Sequence, residues 1–134
     1  MNAAKKPRIA VVGNCGMSVF MGMDRLPSDG ETVMASSLDK EIGGKGINQA
    51  VAAARAGADA AFLGAVGCDS DADECEAAAE FEGVRCRLAR KSGKKTAYAV
   101  ITVDKNGENR VMLYSEAFLT PDDVFGFEDE IRNC

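Results

Sequence analysis

Two unbroken apolar runs, Ile9-Ala10-Val11-Val12 and Ala60 to Val66, stand out along the chain. Runs without alternation mark strands covered on both faces, as in a parallel sheet. Val84 to Ala89 instead alternates apolar and basic residues, as a half-exposed strand does. Between the first two runs, Ile47, Ala50, Val51 and Ala54 fall at the i, i+3, i+4, i+7 spacing of one helical face. This predicts a helix over 43–57, stopped by Gly57. A second helix is predicted over 69–82, with Ala72, Cys75 and Ala79 as a thin apolar face. Ser70 and Asp73 form its capping pattern and Gly83 ends it. Seven carboxylates crowd the stretch and read as a solvated face rather than a metal site.

The remaining segments are punctuated by turn residues. Leu26-Pro27-Ser28-Asp29-Gly30 is a turn, Glu31 to Ser36 reads as a strand, and Leu38 to Ile42 as a short extended piece. Arg90 to Lys95 is a solvated basic loop. Thr96 to Val103 and Asn109 to Tyr114 flank Asn106-Gly107, which predicts an antiparallel hairpin set apart from the parallel strands. Thr120 caps a last helix with Pro121 at its first position, running to about Ile131. Together these elements predict an α/β domain over 1–134: a parallel sheet of about two core strands, helices beside it, and a small protruding sheet.

Composition narrows the chemistry. Of 134 residues, 46% are hydrophobic and 28% charged, which suits a globular domain. A net charge of −5 disfavours nucleic acid and anionic lipid as partners. No apolar run approaches the roughly 18 residues needed to span a bilayer, so no membrane partner is expected. Met1 to Arg8 is basic but leads into a strand pattern, so the cytoplasm is the expected location. The five cysteines are odd in number and irregularly spaced, unlike a zinc or redox pair. Histidine is absent, which removes Ser-His and Cys-His nucleophilic machinery and His-based zinc sites.

The stretch Gly43-Gly44-Lys45-Gly46-Ile47-Asn48 carries the candidate chemistry. Glycines let a ligand approach the backbone closely, and a helix N-terminus offers unpaired N–H donors. Lys45 adds a mobile cation, and Asn48 can donate and accept. The combination suits a small polyhydroxylated or anionic molecule. A plain strand-to-helix turn whose glycines relieve crowding would show the same pattern. It is not a Walker A loop, because Asp39 and Gly46 stand where that motif needs Gly and Ser or Thr. Nor is Gly13-Asn14-Cys15-Gly16 a dinucleotide fingerprint, since Cys15 replaces the second glycine.

Taken together, Gly13-Asn14, Arg25-Leu26-Pro27 with Gly30-Glu31-Thr32-Val33, Gly43-Gly44-Lys45-Gly46 with Asn48-Gln49-Ala50, Gly64 to Asp69, Thr96 and Asn106-Gly107-Glu108-Asn109 resemble the N-terminal part of the ribokinase-like, phosphofructokinase B type, sugar kinases. The resemblance spans residues 8–131. It implies a Rossmann-like αβα sandwich, incomplete here, with a small antiparallel β-sheet lid from segments of about 14–42 and 96–115. By the same resemblance, Gly44, Lys45 and Asn48 hold sugar hydroxyls and Gly43 completes the turn. Ala99 and Ile101 pack against the sugar, and Gly16 and Ser18 match two polar contacts. Ser18 stands where the family usually has aspartate, and Glu116-Ala117-Phe118 departs from a Gly-Ala-Asn-like lid end. ATP and Mg2+ are implied for a full-length member, with a sugar or nucleoside as substrate and a homodimer through the lid. The anion hole, catalytic aspartate and adenine pocket of the family belong to its C-terminal half and have no counterpart in this sequence. No catalytic or metal-binding residue is therefore assigned, and neither cofactor is expected to bind this chain alone.

Overall fold

The computed structural model describes residues 5–134, so the first four residues of the basic N-terminal stretch lie outside it. The elements in chain order are β1 (Arg8–Val12), β2 (Gly16–Met23), β3 (Ser37–Gly43), α1 (Lys45–Arg55), β4 (Asp59–Gly67), α2 (Ser70–Phe81), β5 (Arg85–Lys91), β6 (Ala97–Asp104), β7 (Asn109–Tyr114), α3 (Pro121–Gly126) and α4 (Glu128–Arg132). They form two sheets, one of three strands ordered β1-β4-β5 and one of four ordered β3-β2-β6-β7.

The three-stranded sheet is wholly parallel, with Ile9 opposite Ala60 and Phe62 opposite Cys86. Its middle strand, β4, is the apolar run of the sequence, and Ala60, Ala61, Phe62, Leu63 and Val66 are completely buried there. Burying side chains of the size of Phe62, Leu63 and Val66 stabilises the fold by about 1.5–3 kcal/mol each. The expected two core strands are therefore three, because the half-exposed β5 closes the side of β4 that β1 leaves open. Helices α1 and α2 both pack on β4, α1 also on β1, and α2 also on β5. Ile47 and Ala50 of α1 meet Phe62, Val66, Ala72 and Ala79 in one core, with Val51 and Ala54 packed against it. The predicted helical face is the face that is buried.

The four-stranded sheet is mixed. β2 runs antiparallel to β3 but parallel to β6, and β6 and β7 form the predicted hairpin. Asp104 fixes that hairpin turn by accepting hydrogen bonds from the N–H groups of Asn106 (2.8 Å) and Glu108 (3.0 Å). Four local expectations are corrected. Glu31 to Ser36 is a loop, because both edges of β2 are already occupied and Glu31 folds back to accept from Arg25 and from the Ser28 N–H. Asp69, not Ser70, caps α2, its carboxylate accepting from the Ala72 N–H at 3.0 Å. Arg90 and Lys91 belong to β5 and are ion-paired, Arg90 to Asp73 and Glu76, Lys91 to Asp123. The acidic face of α2 is thus bridged on one side to β5 and on the other, through Asp71 and Glu74, to Lys40 of β3. Finally, the last predicted helix breaks at Gly126 and Phe127, where the Phe127 side chain turns into the interior with 8% exposure.

Candidate functional site

The site is built where β3 ends and α1 begins. Gly44 turns the chain at φ +112°, and a Cβ there would stand 2.7 Å from the Asn14 carbonyl oxygen and 2.9 Å from the Cys15 Cα. Gly46 lies against Gly13, with a Cβ position 2.8 Å from the Gly13 Cα. Only glycine lets the segment after β1 touch the start of α1 backbone to backbone. Across that contact Asn14 closes the helix. Its side-chain Oδ1 accepts from the Gly46 N–H (3.1 Å) and its carbonyl accepts from the Ile47 N–H (3.2 Å). The helix-terminal donors expected to meet a ligand are therefore largely consumed inside the protein. This role of Asn14 is invisible to local capping rules, because the cap comes from a residue 32 positions away.

Five of the eight residues singled out from the sequence share one small cavity of about 40 Å³. Gly16, Ser18, Gly43, Gly44 and Ala99 line it with Asn14, Cys15, Met17, Ala97 and Leu113. Strand register explains the grouping, since Ser18 stands opposite Ala99 and Glu41, and Gly16 opposite Gly43 and Ala97. Gly43 packs directly against Ser18, since a Cβ there would stand 2.2 Å from the Ser18 Oγ and make that hydroxyl turn away. Gly16 leaves no room for a side chain either, because its Cβ would meet the Ala97 carbonyl oxygen at 2.2 Å. Asn14, Cys15, Ala97 and Leu113 also line an adjoining cavity of about 280 Å³, whose other walls are Gly13, Ala65, Ser115, Ala117, Phe118 and Leu119. The two cavities form one groove.

The other three candidates lie outside it. Lys45 is exposed at the first turn of α1, with no ion pair among the described residues. Asn48 lines a different cavity of about 620 Å³ between α1, α2 and β3, together with Met17 and Ile42. Those two are paired in register and leave the sheet on the face opposite Ser18. Ile101 continues the Ala97–Ala99 row of β6 one step further out, opposite Phe20 and Val111.

Two neighbouring groups tune the groove. The hydrogen bond to Cys75, and then burial, push the Cys15 thiol far above its ordinary range, so it stays protonated and inert. Behind the groove, Asp69 ties the two sheets together. It accepts from the Thr96 hydroxyl (2.6 Å) and the Thr96 N–H (2.9 Å), while the same hydroxyl accepts from the Gly67 N–H (3.0 Å). Burial raises the Asp69 carboxyl, but the hydrogen bonds from Thr96 and Ala72 outweigh it and leave it below its ordinary value. Among the described residues, no group of three or more His, Cys, Asp or Glu side chains is placed to hold a metal ion.

The pattern of the pfkB family of carbohydrate kinases matches residues 6–130. This chain belongs to that family. It is 32% identical to the ribokinase of Staphylococcus aureus (strain COL) over 131 residues, which is 95% of this chain and 43% of that enzyme. The ribokinase of Giardia lamblia superimposes with a TM-score of 0.81 at 29% identity, covering 93% of this chain and 41% of that one. A ribokinase of Arabidopsis thaliana, solved in complex with ribose and ATP, gives a TM-score of 0.75 at 25% identity over 96% of this chain and 43% of its own. The pfkB member described here thus has the ribokinase-type αβα fold in part, and spans well under half the length of these relatives.

Proposed function

We propose that this chain forms the sugar-binding part of a kinase that transfers the γ-phosphoryl group of ATP to a sugar hydroxyl. The observation that carries the reading is the glycine turn Gly43–Gly46, held against Gly13 and Asn14 so that Gly16, Ser18, Gly43, Gly44 and Ala99 open into one groove. The four-stranded sheet serves as the lid, built from segments of about 14–42 and 96–115. Lys45, exposed at the first turn of α1, reaches the sugar and Ile101 extends the lid surface over it, whereas Asn48, also exposed, faces the separate cavity between α1, α2 and β3. Phosphoryl transfer needs a base for the attacking hydroxyl and a cradle for the nucleotide phosphates. At the α1 N-terminus, Asn14 occupies helix-terminal donors that would otherwise face an anion, which supports a sugar rather than a phosphate there. In this reading the chain alone binds the sugar and does not turn over ATP. The free thiols, five among the described residues, suit a reducing cytoplasm.

A second reading, a non-catalytic sugar-binding or dimerisation module, draws on one observation. Val111, Met112, Leu113 and Tyr114 of the edge strand β7 are all more than half exposed. A second copy pairing lid to lid would cover them. Calorimetry with ribose and a coupled ATP-consumption assay over a sugar panel separate the readings. Ribose binding without turnover by a chain that stays monomeric supports the first. Sugar-dependent turnover by the pure chain overturns the assignment of a sugar-binding part alone, and dimerisation without sugar binding favours the second.

A further inference from the structure

The turn between β6 and β7 carries chemistry that the groove does not use. Asn106 and Gly107 are both exposed at its tip, and Gly107 sits at φ +85° with nothing within 4 Å of the position a Cβ would take. Asp104 fixes the backbone there. Its carboxylate accepts from the Asn106 and Glu108 N–H groups, and its carbonyl accepts from the Gly107 N–H at 3.0 Å. Asn106 enters these bonds only through its backbone, and its side-chain amide has no hydrogen-bond partner among the described residues. The other described asparagines are tied down. Asn14 gives its Oδ1 to the Gly46 N–H, and Asn133 donates its amide to the Asp129 carbonyl at 2.6 Å. Asn48 lies inside α1, and Asn109 stands in β7 opposite Val103. Of all the asparagines in the chain, only Asn106 precedes a glycine.

We propose that Asn106 is a self-modification site, where the Gly107 nitrogen displaces the side-chain amide and leaves aspartate or isoaspartate in the hairpin turn. The Gly107 nitrogen bonds to the Asn106 Cγ and gives up its proton, while the bond from Cγ to the side-chain nitrogen breaks and ammonia leaves. Water then opens the resulting cyclic imide at either carbonyl, so one water is taken up for each ammonia released and nothing is oxidised or reduced. A side chain at 107 would crowd the ring as it closes, and glycine has none. In the closed turn Asp104 holds the Gly107 N–H, so the reaction runs when the turn opens. Opening is local, because β7 is an edge strand whose only partner is β6. Either product adds a carboxylate beside that of Asp104, in a chain already at −5. Isoaspartate also routes the backbone through the side-chain methylene, which lengthens the turn that sets Val103 opposite Asn109. Its formation loosens β7 from β6.

The test is ageing of the whole folded chain at neutral and mildly alkaline pH, read by peptide mass spectrometry and an isoaspartate-specific methyltransferase assay. Circular dichroism confirms that each variant is folded. Asn106 should exchange its amide for an acid on the order of tenfold faster than Asn14, Asn48, Asn109 or Asn133, with fragment ions separating it from Asn109. The rate should rise with pH, because the attacking nitrogen must lose its proton. Asp104→Ala removes the carboxylate that fastens the turn and should speed the reaction several-fold. In the aged chain, hydrogen exchange should quicken in β7 and stay unchanged in β4, and Asn106→Gln should abolish both the acid and the quickening. Equal rates at all asparagines, or modification of Asn106 only after unfolding in urea, would overturn the proposal. A mass gain without isoaspartate would overturn the imide route, and β7 exchange that quickens equally in aged Asn106→Gln would overturn the link to the hairpin.

Discussion

At the scale of single residues, the glycines of the turn are the most constrained positions in the molecule. Gly44 combines φ +112° with a Cβ position 2.7 Å from backbone. Gly44→Ala is expected to cost about 1–3 kcal/mol in urea unfolding. Gly30→Ala, also at positive φ (+72°) but in open space, should cost less, about 1 kcal/mol. Equal losses would show that the contact with Asn14 and Cys15 is unimportant. A second prediction concerns Ser18, where the family resemblance implies an aspartate. With 8% exposure, a new carboxylate at this position would be raised by burial, so Ser18→Asp should increase ribose affinity only as pH climbs well above the ordinary Asp range. Calorimetry between pH 5 and 8 showing no gain at any pH would refute the placing of Ser18 against the sugar. The glycine turn was legible in the sequence because glycine identity and helical spacing are local signals, whereas Ser18 was singled out only through the family resemblance. The Asn14 clasp was not legible, since it depends on two segments meeting in space. Nor was the placing of Asn48 on a different cavity from Ser18, because sequence spacing does not say which side of a sheet a helix side chain meets.

Among the elements, α2 and its cap decide how the two sheets are held together. Thr96, with 2% exposure, donates to Asp69 and accepts from Gly67, so a single hydroxyl joins β4, α2 and β6. Thr96→Val keeps the volume but leaves both partners short of a hydrogen bond. It should destabilise the chain by about 1–3 kcal/mol in urea unfolding, and a neutral result would show that water replaces the hydroxyl. The pH dependence follows in sign. The Asp69 carboxyl is below its ordinary value of 3.8 in the folded chain, so its contribution is present in full above that value. It is lost as pH falls through the depressed folded value. The acid unfolding midpoint should therefore rise in Asp69→Asn, measured by circular dichroism, and an unchanged midpoint would remove Asp69 from the account. Element prediction succeeded where burial alone decides, at β1, β4 and α1, and failed where a partner decides. Glu31 to Ser36 has strand composition, but both edges of β2 are already taken by β3 and β6. The helix beyond Pro121 has a sound capping box at Thr120 and Asp123, yet burial of Phe127 outweighs helical continuity.

For the molecule as a whole, the decisive fact is the uneven covering of the three-stranded sheet. The central strand β4 is paired on both sides, whereas β1 is paired on one side only. Ile9 and Val12 of β1 remain 37% and 46% exposed, which is unusual for a parallel strand, normally covered on both faces. A flat edge bearing apolar side chains favours association. Hydrogen exchange should then rank the strands, with β4 amides the slowest and those of β1 and β7 the fastest, because local opening needs only the loss of one neighbour at an edge. Sedimentation velocity should show self-association rising with concentration. Val12→Lys places a charge on β1 opposite Leu63 of β4 while leaving the sequence of β4 unchanged, so it should suppress that association and keep the β4 amides the slowest to exchange. A wild-type chain that stays monomeric at every concentration would show that the edge is already protected. Association that persists in Val12→Lys, but disappears when Leu113 and Val111 are changed to lysine, would move the sticky surface from β1 to the lid.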